Sequence, residues 1–368
     1  MNRSLATRHS PAAARAGFTL IEMLTVIVII SILAGMLVVT VNVARKRVRI
    51  AMIHAEVMQL DMAARALQTD YGDYPPDFSD FNTKTNDSPA VDRWLQKAFP
   101  RYYLASKNGV LNTPCQQMVA DISNNYQVTV SNPASALVVF LGGVPGVTGN
   151  YSGYSVQNPG GTAIPWRSDG FSADATAPFG PNNPYPNAGT TVQPRIAPKF
   201  TFPSARVDTS LGSPYFCPPA VTAAGSNTIP APYVYFRAGL DQLSGAWCYN
   251  YCYNSANSTY VTQQFPLASP SPADYAVPYQ KVVPGNNNAV TNPPWRNNDS
   301  FQIISSGLDG LYGYKMPASS PYVAGRVAGL PAMLSIGPTT GYPYTGGDSD
   351  NITNFVQNGS TLEDETHQ

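Results

Sequence analysis

Hydrophobic and polar positions alternate very unevenly along the 368 residues. Residues 23–44 are apolar apart from Thr25, Ser31, Thr40 and Asn42. At about 1.5 Å rise per residue, a helix of that length spans a hydrocarbon core of about 30 Å. An export signal would have an apolar region of about 7 to 15 residues before a small-x-small cleavage site. This run is longer and continues into RKRVR, which favours a retained membrane helix. Beyond it Val48, Met52, Ala55, Met58, Met62 and Ala66 recur at spacings of three or four, so the helical pattern persists. Gly72 followed by Pro75 and Pro76 predicts its end. A single helix over residues 19–71 would be about 80 Å long, half in lipid and half beyond it.

Later elements are shorter. VDRWLQKAF (91–99) and NPASALVVFLGG (132–143) read as helices, the second with Asn132 as N-cap, Pro133 in its first turn and Gly142 at its end. YQVTV (126–130), YVYFRA (233–238) and SFQIIS (300–305) read as strands from their β-branched and aromatic content. Residues 144–232 and 254–298 are rich in Pro, Gly, Asn, Ser and Tyr without a clear repeat. They read as ordered, aromatic-pinned loops or as partly mobile insertions.

Composition supports this picture of a loop-rich chain. Gly 29, Pro 34 and Tyr 22 describe short strands and turns rather than a helical bundle, and the 43% hydrophobic fraction excludes wholesale disorder. Lys plus Arg equal Asp plus Glu at 22 each, which argues against a nucleic-acid footprint across the molecule. Cys115, Cys217, Cys248 and Cys252 all come after the apolar run. Four cysteines in an exported segment allow three disulfide connectivities, and one or two bridges are expected. The alternative, a structural metal site, finds no C-x-x-C pair and no histidine between His54 and His367.

Chemistry enters with Glu22, the one carboxylate at the start of the apolar run. An ionisable group at mid-bilayer costs roughly 2.5 to 3.5 kcal/mol on insertion scales, so it demands a partner or a function. Before it lies a basic leader, residues 1–17, with Arg3, Arg8 and Arg15 and no acid. GFTLIEML, read with that leader and the apolar helix behind it, resembles the prepilin-type cleavage and methylation motif of type IV pilins and type II secretion pseudopilins. The resemblance covers residues 17–71. It implies that a prepilin peptidase cuts between Gly17 and Phe18 and methylates the new amino group of Phe18. Gly17 suits a protease that needs close backbone approach.

The resemblance also implies a partner for the carboxylate. Glu22, fifth residue of the mature chain, would neutralise the amino terminus of Phe18 on a neighbouring subunit, because at low dielectric a charge pair is far better than either charge alone. The alternative is a carboxylate lying at the headgroup level. Arg45, Lys46, Arg47 and Arg49 outnumber the leader's arginines, so the positive-inside rule by itself would put the C-terminal side in the cytoplasm. The resemblance implies the opposite topology: leader in the cytoplasm, a single pass through the bacterial inner membrane, and an exported remainder in a periplasmic or surface filament.

SFQIISSGLDGLYG (300–313) with the later GGDSDNITNF (346–355) is similar to the calcium loop of the major pseudopilins. That similarity implies calcium held by Asp309, Asp348 and Asp350, with the side chain of Asn351 and carbonyls near Leu308 as further ligands. Calcium takes six to eight hard oxygens, which these residue types provide. Residues 314–345 separate the two halves where the family loop is short, and the EF-hand pattern is not met. A solvated Asp/Asn-rich turn is the other reading.

Catalysis finds little support. Histidines occur at His9, His54 and His367 only, and glutamates at Glu22, Glu56, Glu363 and Glu365 only. Asp169, Asp174, Asp208, Asp241 and Asp274 sit in turn-like contexts where Asp bonds its own backbone. The expectation is no enzyme. GAWCYNYCYNS (245–255) offers a rival from another class, an aromatic platform for glycans or a protein, against a local core or disulfide anchor.

The expected architecture is an α+β pilin fold with a leader at 1–17, a transmembrane and assembly helix at 18–44, its exported amphipathic half at 45–72, and a globular region at 73–368. There the helix packs on an antiparallel sheet elaborated by insertions at about 100–298. The expected function is a type II secretion pseudopilus subunit. Its partners would be a homopolymer with other pseudopilins, the prepilin peptidase, an assembly platform protein with its ATPase, and the inner membrane, with no nucleic acid. A type IV pilin for adhesion, motility or DNA uptake is the second reading.

Overall fold

A computed structural model describes residues 19–81, 85–109, 113–153, 163–180, 194–219, 231–240, 247–249, 252–254, 259–261, 265–266, 275–276, 278–279, 295–308, 310, 312 and 351–355. The chain divides into two compact units, Met1–Val48 and Arg49–Gln368. Helix α1 (Leu20–Tyr71) runs unbroken through the boundary and ends where Gly72 donates its N–H to the Gln68 carbonyl at 2.8 Å.

In the first unit α1 is long and apolar enough to cross a membrane, and none of its most apolar stretch is buried. Its hydroxyls return to the helix's own carbonyls: Thr25 to Glu22 at 2.9 Å, Ser31 to Ile27 at 2.6 Å and Thr40 to Leu37 at 2.9 Å. No donor on these side chains therefore needs water, as a lipid surrounding requires.

In the second unit the helix buries a stripe made of Ile53, Val57, Leu60, Ala64 and Leu67. The methionines Met52, Met58 and Met62, whose spacing predicted that the helix continues, lie on the outward side, with exposures of 49%, 37% and 59%. Both series satisfy helical spacing, so periodicity could not choose between them, and the methionines are the series left outside.

Four short helices come next: α2 (Pro89–Ala98), α3 (Pro100–Lys107), α4 (Pro114–Tyr126) and α5 (Pro133–Gly142). Every one begins on a proline, whose missing N–H costs nothing in a first turn. Ser88, Thr113 and Asn132 cap α2, α4 and α5 through their side chains, and Asn132 with Ser135 completes a capping box. The strand expected at 126–130 does not form. Tyr126 ends α4 and Gln127 takes a left-handed φ of 56°, after which Val128 and Val130 are buried without a ladder.

Strands are short and antiparallel. In chain order, β1 (Phe171–Ser172) pairs with β2 (Arg195–Ile196), and β3 (Val207–Asp208) with β4 (Tyr215–Phe216). After β5 (Val234–Arg237), β6 (Gly239–Leu240) pairs with β7 (Trp247–Cys248), β8 (Cys252–Asn254) with β9 (Thr259–Val261), and β10 (Phe265–Pro266) with β11 (Tyr275–Ala276). The main sheet is β13–β12–β5, formed by β12 (Phe301–Ser305) with β13 (Ile352–Thr353) on one side and β5 on the other. Its register sets Ile303 opposite Tyr235 and Ile304 opposite Val234.

That sheet is covered on both faces. Tyr235, Phe301, Ile303 and Ile352 point into the main core with the α1 stripe, Trp94 and Phe140, while Val234, Phe236 and Ile304 point into a second cluster with Tyr249, Trp295 and Tyr312. The alternation follows the two-residue period of a strand. Within the segment expected as insertions at about 100–298, Met118, Ile122, Trp166, Phe179 and Phe216 all lie in the main core. At the crossing of Gly143 and Gly170, a parallel bridge brings two backbones so close that a Cβ on Gly143 would lie 2.2 Å from the Gly170 carbonyl carbon.

Candidate functional site

The cleavage residues Gly17 and Phe18 lie outside the described residues, and the site takes shape from Thr19 onward. Thr19 is the N-cap of α1 and Glu22 stands at its third helical position. The Thr19 backbone N–H and hydroxyl donate to Glu22 Oε2 at 2.8 and 2.9 Å, and the Glu22 N–H donates to Thr19 Oγ1 at 3.3 Å. This is a complete capping box: side chain and backbone of each residue satisfy the other, with stabilisation of about 1 kcal/mol, and the carboxylate also faces the positive end of the helix dipole. Its sequence signal is T-x-x-E before an apolar run, masked here because the same glutamate also stands out as a charge in a membrane segment.

A second polar centre holds α1 within the Arg49–Gln368 unit. Arg206 forms a bidentate pair with Glu56, its Nη2 lying 2.8 Å from Oε2 and its Nη1 bonded to Oε1. Tyr233 donates its hydroxyl to the same carboxylate at 2.6 Å. The guanidinium also donates to the Cys217 carbonyl at 2.7 and 3.0 Å and lies 4.5 Å over the Phe216 ring. Burial pushes the Tyr233 phenol well up, and the adjacent Glu56 adds to the shift. Five residues further along, Asp61 accepts from Asn354 on the segment after β13 at 2.8 Å and pairs with Arg65 at 2.7 Å.

The remaining candidates separate. Cys115 and Cys217 are free and buried, so neither contributes to a disulfide, which corrects the expectation for these two; burial pushes both thiols up. Each is enclosed at 0% exposure within the packed interior. The side chains of Cys248 and Cys252 lie outside the described residues, as do Asp309, Asp348 and Asp350. Asn351 is fully buried, and its Nδ2 donates to the Tyr279 hydroxyl at 2.9 Å and the Tyr312 carbonyl at 3.0 Å, a tether in the second core cluster.

No group of three or more His, Cys, Asp or Glu side chains suited to a metal occurs among the described residues. Asp174 and Asp208 accept from backbone N–H groups two residues ahead, at 2.9 and 2.8 Å, as turn aspartates do. In the aromatic stretch, Tyr249 is core, edge-on to Trp295 and donating to the Asn297 carbonyl at 2.7 Å, while Trp247 faces outward.

An apolar helix with a capped, acid-bearing start, long enough to cross a membrane, fits a membrane-anchored start to the chain. Residues 13–38 match the prokaryotic N-terminal methylation motif, the signature of type IV pilins and pseudopilins. The motif implies processing by prepilin peptidase and assembly with other pilins, and it marks a family of structural subunits. No curated protein and no solved structure matches the chain.

Proposed function

We propose that this chain is a structural filament subunit, cut between Gly17 and Phe18, N-methylated on Phe18, and drawn from the inner membrane into a helical polymer by a platform protein and its ATPase. The observation that carries the reading is the methylation motif at 13–38 running directly into an exposed apolar helix whose side-chain hydroxyls are bonded internally. The long helix and the antiparallel sheet β13–β12–β5 sharing a core accord with an elaborated pilin fold.

Glu22 would then serve twice, as the acid of the capping box and as the counter-charge to Phe18 of a neighbour. Glutamine can keep the box but not the charge. Glu22→Gln should therefore be processed normally and retain its helix start, yet give far fewer filaments; Glu22→Ala should lose both. Mass spectrometry of the mature N-terminus and filament yield from cells measure the two steps. An unprocessed wild-type chain, or wild-type filament yield from both variants, would sink the proposal.

Within the class we favour the type II secretion pseudopilus over an adhesive or motility pilus, on the similarity of residues 300–313 and 346–355 to the calcium loop of major pseudopilins. Asp309, Asp348 and Asp350 would hold the ion as hard oxygen donors, with Asn351 anchoring the adjacent backbone. Millimolar calcium should raise the melting temperature and chelation lower it; no shift would remove the metal.

A further inference from the structure

We propose that Arg45, Lys46 and Arg47 form a cationic collar that binds the headgroups of anionic phospholipids where α1 leaves the hydrocarbon layer. The inference rests on the membrane-anchored reading above. All three side chains are exposed. Among the described residues no ion pair engages the collar, and what sets it apart from Arg93, Arg101 and Lys107, exposed cations likewise outside any ion pair, is that its three members are consecutive on one helix. The helix offers it none, since residues 23–55 hold no acid and the next one, Glu56, is committed to Arg206 and Tyr233.

Placement around the helix identifies the kind of partner. Successive residues turn by about 100°, so the three cations spread over roughly 200° of the circumference, with Arg49 falling inside that arc beside Arg45. A partner helix is met by a stripe repeating at three and four residues. Cations spread over more than half of the circumference suit a surrounding broader than one helix face, as a lipid leaflet is.

Depth agrees. The run 20–44 extends roughly 37 Å against a hydrocarbon core of about 30 Å, which brings the residues after it to headgroup level. There long basic side chains extend to phosphate and each gains from a negative surface. Phosphate counter-ions would also offset the unfavourable count of cations on the exported side.

The test uses the full chain purified in detergent with equal phosphatidylglycerol and phosphatidylcholine, the retained lipids being identified by native mass spectrometry. The wild type should enrich phosphatidylglycerol, and 1 M salt should abolish the preference, because screening then acts within about 3 Å. The triple variant Arg45→Gln, Lys46→Gln, Arg47→Gln should lose roughly a hundredfold in phosphatidylglycerol affinity, while Arg45→Lys with Arg47→Lys should keep it. Equal retention of both lipids by the wild type overturns the proposal, as does a triple variant that binds like wild type. Loss of self-association in that variant with lipid retention unchanged would assign the cations to a second copy instead. Failure of the membrane reading shows separately, as a wild-type chain that does not co-sediment with pure phosphatidylcholine vesicles.

Discussion

Glu56→Ala should destabilise the Arg49–Gln368 unit more than any other single change to a charged side chain of α1. Removing the carboxylate leaves Arg206 with the Cys217 carbonyl and the Phe216 face but without a counter-charge, and takes the acceptor from Tyr233. Breaking one side of a buried pair costs about 3 to 5 kcal/mol. Side-chain exposures of 22% for Arg206 and 18% for Glu56 admit some water, which brings this contribution down to about 2 to 3 kcal/mol. The orphaned phenol adds about 1 kcal/mol. For a domain of this size the sum lowers Tm by roughly 6 to 15 °C. Guanidinium unfolding of the full chain in micelles, monitored by tryptophan fluorescence, measures it. A cycle through Glu56→Ala, Arg206→Met and the double variant should give a coupling of at least about 1.5 kcal/mol, because the double variant no longer buries an unpaired charge. A loss below about 1 kcal/mol for Glu56→Ala, or additive single effects, would refute the reasoning.

Other consequences are sharper in kind than in size. Gly170→Ala places a Cβ 1.9 Å from the Ile196 carbonyl oxygen and should cost more than about 3 kcal/mol, whereas Gly153→Ala, with a similar φ but open space, should cost about 1; equal melting temperatures would contradict this. Burial lifts the Asp92 carboxyl to about 6, with Asp87 and Asp80 adding and the Cys115 N–H bond opposing. Folding thus favours its protonated form, and that contribution is complete below about pH 4 and lost as pH rises through about 6. Asp92→Asn should remove a decline of about 1 to 2 kcal/mol between pH 5 and 7; parallel stability profiles for the two proteins would exclude it. Cys115 and Cys217, buried with raised thiols, should alkylate only after denaturation, and rapid native labelling mapped by mass spectrometry would contradict their placement.

Legibility in the sequence tracked the strength of local signals. Helix α1, α2 and α5 and the strands β5 and β12 were readable because periodicity, caps and β-branched runs agreed at each. Helices α3 and α4 were hidden by proline. Pro100 and Pro114 stand at first helical positions, where proline is already suited to the helix, and Thr113 before Pro114 was the available cue. YQVTV misled because alternating Val128 and Val130 need only an extended buried segment, and sequence does not say whether a partner strand lies alongside. The tie between Glu56 and Arg206, 150 residues apart, has no local signal at all.

The two roles proposed for Glu22 make different demands on its carboxylate, and the geometry shows how both can be met. Both bonds that Thr19 donates reach Oε2, and among the described residues Oε1 accepts none. The capping box therefore occupies one oxygen and fixes the side chain's direction at the helix start, independent of whether residue 17 is still attached. Cleavage then adds a charged amine on Phe18 without requiring Thr19 to let go. A neighbour's ammonium approaching Oε1 would find an acceptor already oriented, so the association avoids the entropy of ordering a free glutamate, about 1 kcal/mol or more for a long side chain. On this proposal threonine beside the acid serves assembly as well as the acid does, and Thr19→Val should leave processing intact and lower filament yield by less than Glu22→Gln does.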